Sequence, residues 1–386
     1  MNPPVWIALA AFVAAPLALT HAGPSPAFPG AEGFGQFASG GSELFHVTTL
    51  GDSGPGSFRD AVSQPGRIVV FDVGGLIRLK SNVAVSSRTT LAGQTAPGEG
   101  VTLYGASVSF SGQSNMVVRY LRFREGIGGD RGKCSVNISK GSAMIFDHCS
   151  IEWGRWDCLG VTQGSHDITF QHCIIGEGID PQRFGSLSDS VTNLTFTHNL
   201  WINNQSRNPK AKGRIQYVNN VVYNWGVCGL VGGHSGADHF LDAVGNCFIA
   251  GPNSNPHCVG QFAATDHVFQ RDNLADTDKD GQWNARTLVA ADFGSGAGAP
   301  TFLAGPTVAP LTNLTVEPAT TALSNVLAHA GCSLHRDPVD ARLMDEVKSL
   351  GTRGKISHTE AEAGGLGPFQ EVHAPANLKA IDMGQP

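Results

Sequence analysis

Charged residues are scarce in this sequence, and basic residues are not in excess. Asp, Glu, Lys and Arg make up 15% of the 386 residues, against about 25% in an average protein. Thirty-two acidic and 26 basic residues leave a net charge of −6. Since no global positive field attracts phosphate backbones, a nucleic-acid-binding role is disfavoured. Runs of Ala, Glu, Lys and Leu are scarce as well, which disfavours a coiled coil or a helical bundle.

Several chemistries also lack their motifs. The sequence has no Gly-x-Ser-x-Gly segment, no Walker phosphate loop and no Cys-x-x-Cys pair. Acyl transfer, nucleotide chemistry and a zinc site therefore have no support. The eight cysteines are too few to form the scaffold of a chain this long.

Glycine and apolar residues are plentiful. The chain has 49 glycines and 41% hydrophobic residues, whereas glycine averages about 7%. This composition indicates a large, loop-rich β protein with a sizeable core.

The first 22 residues have the pattern of a secretory signal peptide. An apolar run of sixteen residues from Val5 to Thr20 precedes Ala22, so small residues stand at positions −3 and −1 of a cut after Ala22. We expect the chain to be secreted; the alternative is an uncleaved membrane anchor, although the run is short for a span. No other stretch of the sequence is a candidate span.

A repeat runs through the middle of the chain. The segments DHCSI, QHCII, THNLWI, NNVVY, GNCFI and DNLAD place Cys or Asn at intervals of 24, 26, 21, 26 and 27 residues, at Cys149, Cys173, Asn199, Asn220, Asn246 and Asn273. This interval suits one coil of a right-handed parallel β-helix, in which equivalent residues stack about 4.8 Å apart. His148, His172 and His198 precede three of these positions, and we interpret them as a stacked polar column rather than a metal cluster.

The repeat leads to three predicted regions. Residues 1–22 are the signal peptide, 23–310 the all-β solenoid, and 311–386 helices and a tail packed on it. SFRDAV, capped by Ser57, predicts a short helix near the start. PATTALSNVLAHAG and DPVDARLMDEVKSLG predict two helices near the end, the second beginning after Asp337.

Four cations lie within eight positions in the segment SRNPKAKGR. They are Arg207, Lys210, Lys212 and Arg214, and the last three share one face if the segment is a strand. Such a concentration in an acidic protein indicates an anion site; the alternative is a solvated basic loop.

These segments resemble the pectate lyase family of polysaccharide lyases. The resemblance rests on AFPGAEGFG, LGDSGPGSFRDAV, AGQTAPG, RYLRFREG, IFDHCSIEWGR, SRNPKAKG and NNVVYNW, and it covers residues 27–350. It implies a right-handed β-helix and cleavage of a polyuronate by β-elimination, in which a base removes the C5 proton and the 4-O-glycosidic bond breaks. Arg207 matches the family's base and Lys212 a carboxylate-binding cation.

Further substrate contacts follow from the same resemblance. Lys210 stands between these two residues. Another family lysine, from the preceding coil, has no clear match, and Arg183 or Gln182 lies nearest to it. A guanidinium has a pKa above about 12, so a base of this kind needs neighbouring cations that disfavour its charged form.

The calcium ligands that the family implies are incomplete. Gly132 and Cys134 stand at two aspartate positions, whereas Asp157 matches an acidic ligand and Asp130 is a candidate substitute. Calcium takes six to eight oxygen ligands, so Asp157 with Asp130 makes a weak site unless substrate carboxylates supply the rest. We therefore expect weak dependence on calcium. Asp147 we interpret as a buried structural acid.

Cys134 and Cys158 are a candidate disulfide. They stand one coil apart, at the same interval as Cys149 and Cys173, and residues stacked in adjacent coils satisfy disulfide geometry. The alternative is two buried free thiols.

The sequence thus predicts a secreted, monomeric lyase whose partner is an acidic polysaccharide, with no nucleic acid or membrane bound after signal removal. Two alternatives remain. One is a β-helix that binds the polyanion without turnover, and the other is a glycoside hydrolase on the same fold, which needs a pair of close carboxylates.

Overall fold

The fold is a solenoid of short strands that wind around one apolar core. The computed structural model describes residues 25–294, 298–307 and 311–375, and the predicted signal peptide at 1–22 lies outside them. The strands of the first coils are β1 Glu43–Val47, β2 Arg67–Phe71, β3 Val73–Arg78, β4 Val83–Ala84, β5 Thr89–Ala92, β6 Val101–Tyr104, β7 Val108–Ser109, β8 Ser114–Arg119 and β9 Leu121–Arg124. The central strands are β10 Val136–Ser139, β11 Ser142–Asp147, β12 Ser150–Glu152, β13 Asp157–Thr162, β14 His166–Gln171, β15 Ile174–Gly176, β16 Phe184–Thr197, β17 Leu200–Ile202 and β18 Lys210–Val218. The last are β19 Val221–Tyr223, β20 Leu230–Val231, β21 His239–Val244, β22 Cys247–Ile249, β23 Val259–Gly260, β24 Asp266–Arg271, β25 Leu274–Asp276, β26 Arg286–Thr287, β27 Thr301–Phe302 and β28 Val372–His373.

All strands except β26 and β28, which pair antiparallel with β25 and β3, form three parallel sheets. Sheet I contains β1, β2, β5, β8, β11, β14, β21, β24 and β27 with the second halves of β16 and β18. Sheet II contains β4, β7, β10, β13, β20 and β23 with the first halves of β16 and β18. Sheet III contains β3, β6, β9, β12, β15, β17, β19, β22 and β25, whose nine strands mark nine coils of the described residues. The predicted right-handed parallel β-helix is confirmed.

Asparagine side chains connect successive coils at the turn between sheets I and III. The backbone N–H of Asn199 donates to Oδ1 of Asn220 (3.0 Å), and that of Asn220 donates to Oδ1 of Asn246 (2.8 Å). The amide of Asn220 also donates to the carbonyl of Phe196 (3.0 Å). Each such side chain satisfies buried backbone groups that the turn leaves without a ladder partner.

The histidine column is a stack of rings, as expected. Ring centroids lie 4.8 Å apart between His148 and His172 and 5.1 Å apart between His172 and His198. Each of the three residues has a left-handed backbone, with φ between 49° and 54°, which gives the turn its tight bend. Asp147 is fully buried and pairs with Arg119 (2.8 Å), which confirms its structural role.

The described residues contain three α-helices. They are α1 Phe58–Ala61, α2 Ala319–His329 and α3 Pro338–Lys348. Ser57 caps α1 and Asp337 caps α3, both by accepting a backbone N–H three residues on. All three predicted helices are confirmed.

The two C-terminal helices cover the outer face of sheet III. Val326 of α2 and Leu343 of α3 pack in one buried cluster with Ile174, Leu200 and Val221 of the sheet. Beneath them, the fully buried Arg124 binds both acidic side chains at the start of α3, Asp337 and Asp340. The basic RFRE segment and the acidic start of α3 are therefore parts of one buried ionic network.

An N-terminal segment crosses sheet I. The backbone N–H of Gly35 donates to Thr169 Oγ1 (2.9 Å). A Cβ on Gly35 would lie 1.9 Å from the carbonyl oxygen of Met144, so only glycine permits this approach. No helix in the described residues is long and apolar enough to cross a membrane.

Replacing Asn220 by Ala is expected to destabilise the protein. The substitution leaves the buried N–H of Asn199 and the carbonyl of Phe196 without these partners, and each unsatisfied group costs about 1–3 kcal/mol. Urea unfolding would measure the loss. Asn255→Ala, whose side chain accepts one exposed hydrogen bond, is the control; equal midpoints for the two variants would contradict the role of the ladder.

Candidate active site

The backbone around Arg207 is fixed by the two neighbouring coils. Arg207 has a left-handed φ of 63°, and its carbonyl accepts the N–H of Ser186 (2.7 Å). The next residue, Asn208, accepts the side-chain amide of Asn204 (2.8 Å). A Cβ on Gly185 would come within 2.5 Å of the Arg207 carbonyl. These contacts hold Arg207 in an unfavoured backbone conformation at the edge of sheet II.

The Arg207 side chain lies on residues from the two preceding coils. Its Nη1 is 3.1 and 3.2 Å from the carboxylate oxygens of Asp157, and its guanidinium carbon is 4.2 Å from the ring centroid of Phe184. Asp157 pairs with Phe184 in sheet II, and Phe184 bridges to Ser206 in the next coil. Coil stacking therefore assembles an acid, an aromatic ring and an arginine that are distant in sequence.

Asp157 is a perturbed acid. Burial raises its pKa to about 6, although the Arg207 guanidinium acts in the opposite direction. The carboxylate is therefore ionised at neutral pH, and it neutralises Arg207 in the free protein.

Two lysines follow Arg207 on the outer face of sheet II. Lys210 pairs with Leu187 and Lys212 with Asp189 in the preceding strand. Lys212 Nζ is 3.3 Å from the Asp189 carboxylate, whereas Lys210 forms no ion pair with any residue that the structure describes. Burial, followed by the charges of Arg207 and Lys212, lowers the pKa of Lys210. Of the three cations, Lys210 alone is left without a carboxylate among the described side chains.

Arg214 does not join these cations, contrary to the expected shared face. Strand β18 changes sheet at Gly213, where φ is 150°. Arg214 consequently lies in sheet I, where its guanidinium carbon is 4.5 Å from the Phe240 ring centroid. Its Nη2 donates to the carbonyl of Thr307 (2.9 Å).

Arg183 lies one coil from Arg207, and its side chain is directed to an acid. Its carbonyl accepts the N–H of Gln205 (2.7 Å), and its Nε is 3.5 Å from the Asp180 carboxylate. The substrate contact predicted for Arg183 stays a prediction.

Comparison with known proteins places this chain in a family. No family model matches the sequence. Probable pectate lyase C of Aspergillus fumigatus is 41% identical over 370 residues, which cover 95% of this chain and 86% of that protein. Probable pectate lyase C of Aspergillus terreus is 42% identical over 356 residues, 91% of this chain and 84% of that protein. The chain belongs to the pectate lyase family.

Solved structures agree on the fold. A thermostable pectate lyase, PL 47, superimposes with a TM-score of 0.58 at 13% identity, over 80% of this chain and 98% of that one. A pectate lyase bound to hexasaccharide gives a TM-score of 0.55 at 13% identity, over 82% of this chain and 100% of that one. With family membership, the resemblance is confirmed, and the protein is a polysaccharide lyase.

The described residues do not assemble a calcium site. Both carboxylate oxygens of Asp157 are engaged by Arg207. The exposed Asp130 accepts the N–H of Gly132 (2.9 Å). Across the described residues no three His, Cys, Asp or Glu side chains are grouped to hold a metal. A cation at Asp157 would have to displace the guanidinium.

The predicted disulfide between Cys134 and Cys158 is not formed, because both are free thiols. The register explains why: Val136 pairs with Leu159, so Cys134 is level with Asp157 rather than with Cys158. Cys158 belongs to the apolar core, whereas Cys134 Sγ lies 3.2 Å from the position of a Cβ on Gly160, on the outer side of sheet II.

Phe184 and Asp189 are site residues that motif reasoning missed. Each pairs with a sheet-II residue of the preceding coil: Phe184 pairs with Asp157, and Asp189 pairs with Thr162. The coil interval could have located both residues, because each stands one coil after its pairing partner in the sequence.

Glu125 is a second perturbed acid near this site. It is fully buried; one carboxylate oxygen accepts the N–H of Arg155 (3.1 Å), and the other has no partner among the described residues. Burial raises the pKa of Glu125 from 4.5 to about 8.

The free energy of unfolding is therefore expected to fall as pH rises from about 5 to about 8. In this window the folded protein keeps the Glu125 proton that the unfolded chain has lost, which favours unfolding at higher pH. Glu125→Gln should flatten the decline measured by denaturant unfolding across this range. Glu43→Gln, at an exposed position, should not; a slope unchanged by Glu125→Gln would refute the assignment.

Proposed function

We propose that this protein is a secreted lyase that cleaves pectate, a polygalacturonate, by β-elimination with Arg207 as the base. The observation that carries the proposal is the cluster of Arg207, Lys210 and Lys212 on the outer face of sheet II. It supplies localised positive charge in a chain of net charge −6. The relatives named pectate lyase C and the neighbour bound to hexasaccharide support the same substrate.

The reaction needs three acts from these residues. Lys212, with Lys210, binds a uronate carboxylate, which stabilises the negative charge that develops beside C5. The Arg207 guanidinium first gives up one proton to solvent, and its neutral form takes the C5 proton. As the C4–O bond breaks, the C5–H electrons become the C4–C5 double bond, and the leaving oxygen takes a proton from water.

Arg207 must leave Asp157 before it can act. The guanidinium in the free protein is held by a buried carboxylate at 3.1 Å, and the uncompensated charge of Lys210 lies nearby. A substrate carboxylate drawn to Lys210 and Lys212 adds negative charge that competes with Asp157 for the three cations. Substrate binding and release of the base are thereby coupled.

The same ion pairs favour a lyase over a glycoside hydrolase. A hydrolase needs two carboxyl groups across the scissile bond, one of them protonated. The two carboxylates of the cation cluster, Asp157 and Asp189, are each held by a cation. Neither is placed as a free acid.

Arg207→Lys is expected to lower kcat on polygalacturonate by about a thousandfold with a small change in KM, since a positioned base contributes about 10²–10⁴ in rate. The near-UV absorbance of the unsaturated product measures the rate. Arg214→Lys, from the same strand but on sheet I, is the matched control and should keep its activity.

Three outcomes would contradict the proposal. A wild-type protein that binds polygalacturonate without producing absorbance is a binding module. Reducing ends that form without absorbance indicate hydrolysis. Equal losses in Arg207→Lys and Arg214→Lys would place the base elsewhere.

Secretion rests on the apolar segment before Ala22. Expression in a secreting host should release a chain whose N-terminal sequence begins at Gly23. Deleting residues 2–22 should leave the protein in the cells. Recovery of the intact N-terminus from the medium, or secretion of the deletion variant, would contradict a cleaved signal.

A further inference from the structure

The Arg207 guanidinium has an ion pair at one nitrogen and an aromatic ring under it. Nη1 binds the carboxylate of Asp157, and the guanidinium carbon lies over the Phe184 ring at 4.2 Å from the centroid. That distance is well inside the limit of about 6 Å for attraction between a cation and an aromatic face. Nε and Nη2 form no hydrogen bond with any residue that the structure describes. The ring is therefore a principal support of the guanidinium beside Asp157.

Phe184 lies in the coil between Asp157 and Arg207. It pairs with Asp157 of the preceding coil and bridges to Ser206 of the following coil. The Arg207 side chain thus reaches back across the Phe184 ring to bind Asp157. One end of this path is the ion pair of the free protein, and the other is the coil from which Arg207 and the two lysines arise.

Backbone contacts hold Phe184 in place on the side of Arg207. The carbonyl of Arg183 accepts the N–H of Gln205 (2.7 Å), and the N–H of Gly185 donates to the carbonyl of Ser206 (3.0 Å). The residues before and after Phe184 are therefore both bonded to the coil of Arg207. The ring keeps its position when the guanidinium moves.

The reaction requires that movement to be guided. Arg207 must leave Asp157, and release of its one ion pair would otherwise free a long, flexible side chain. A misplacement of about 1 Å can cost about a hundredfold in rate, so a fixed surface under the guanidinium is valuable. Since an aromatic face attracts the protonated guanidinium, the ring does not help Arg207 to give up its proton. Its contribution is one of position.

We propose that Phe184 is a positioning residue whose ring guides the Arg207 guanidinium from Asp157 to the C5 hydrogen of the bound uronate. This inference rests on the proposed role of Arg207 as the base and adds the side chain that orients it. Phe184 acts through Arg207 and not through the substrate.

Phe184→Leu removes the aromatic face and keeps an apolar side chain. We expect kcat on polygalacturonate to fall about tenfold and KM to change less than about twofold, because Lys210 and Lys212 still bind the substrate. Phe184→Tyr keeps the ring and should retain the wild-type kcat. Equal losses in the two variants, or a raised KM with kcat unchanged, would overturn the proposal, the second result indicating direct contact with the sugar.

A matched control lies on the same strand. Arg214 of β18 also lies over a phenylalanine, with its guanidinium carbon 4.5 Å from the Phe240 ring centroid, but in sheet I. Phe240→Leu therefore removes an equivalent contact outside the site and should leave kcat unchanged. If Phe184→Leu and Phe240→Leu lose the same activity per mole of folded protein, the effect belongs to strand β18 and the positioning role is refuted.

A double variant tests whether the effect passes through the guanidinium. The ammonium group of lysine has no plane for a ring to orient, so Phe184→Leu should change the residual kcat of Arg207→Lys by less than about twofold, a non-additive result. A further tenfold loss in the Arg207→Lys background would mean that Phe184 acts on the substrate or on the coil, which contradicts the inference.

The outcomes separate this inference from the proposed function. Absence of unsaturated product from the wild type, or an Arg207→Lys variant as active as the wild type, would overturn the proposed role of Arg207 and this inference with it. A large loss in Arg207→Lys together with full activity of Phe184→Leu would overturn the positioning role alone.

Discussion

In-register stacking of parallel coils is the constraint on which this structure depends. Each strand pairs with its counterpart one coil away, at about 4.8 Å, so a side chain on one coil contacts the equivalent side chains above and below it. At the inner turn this constraint produces the asparagine ladder and the histidine stack. On the outer face of sheet II it produces the contact of Asp157, Phe184 and Arg207. The same stacking of equivalent residues therefore produces both the turn columns and the contacts of the site.

The site is nearly balanced in charge before substrate arrives. Arg207 is paired with Asp157 and Lys212 with Asp189, which leaves Lys210 as the cation without a described partner. The two ion pairs reduce the repulsion among three adjacent cations. An incoming substrate carboxylate can still bind these cations, because it competes with Asp157 and Asp189 for them. The burial of Asp157, which raises its pKa to about 6, weakens that acid as a permanent partner. When a uronate draws Arg207 away, the buried carboxylate of Asp157 loses its partner, which favours its protonated form.

Much of the fold was predictable, because equivalent residues of a solenoid recur in the sequence at the length of one coil. The Cys and Asn column gave the coil length, and the left-handed residues before it are those that the tight turn requires. Arg214 and the cysteines were placed wrongly for a common reason. A fixed repeat interval implies that every coil has the same length and that each strand stays in one sheet. Strand β18 instead changes sheet at Gly213. Strand β10 pairs with β13 in a register that separates Cys134 from Cys158. The ionic network under α3 joins residues such as Arg124 and Asp337, a pairing that no local pattern encodes.

The most direct test of the account is a crystal structure of the Arg207→Lys variant with a uronate oligosaccharide. The account predicts a chain along the outer face of sheet II, with one carboxylate in contact with the ammonium groups of Lys210 or Lys212 and the C5 hydrogen of that residue directed at position 207. An oligosaccharide bound on sheet I or beside α2 and α3, or one whose carboxylates all face solvent in the groove, would contradict it.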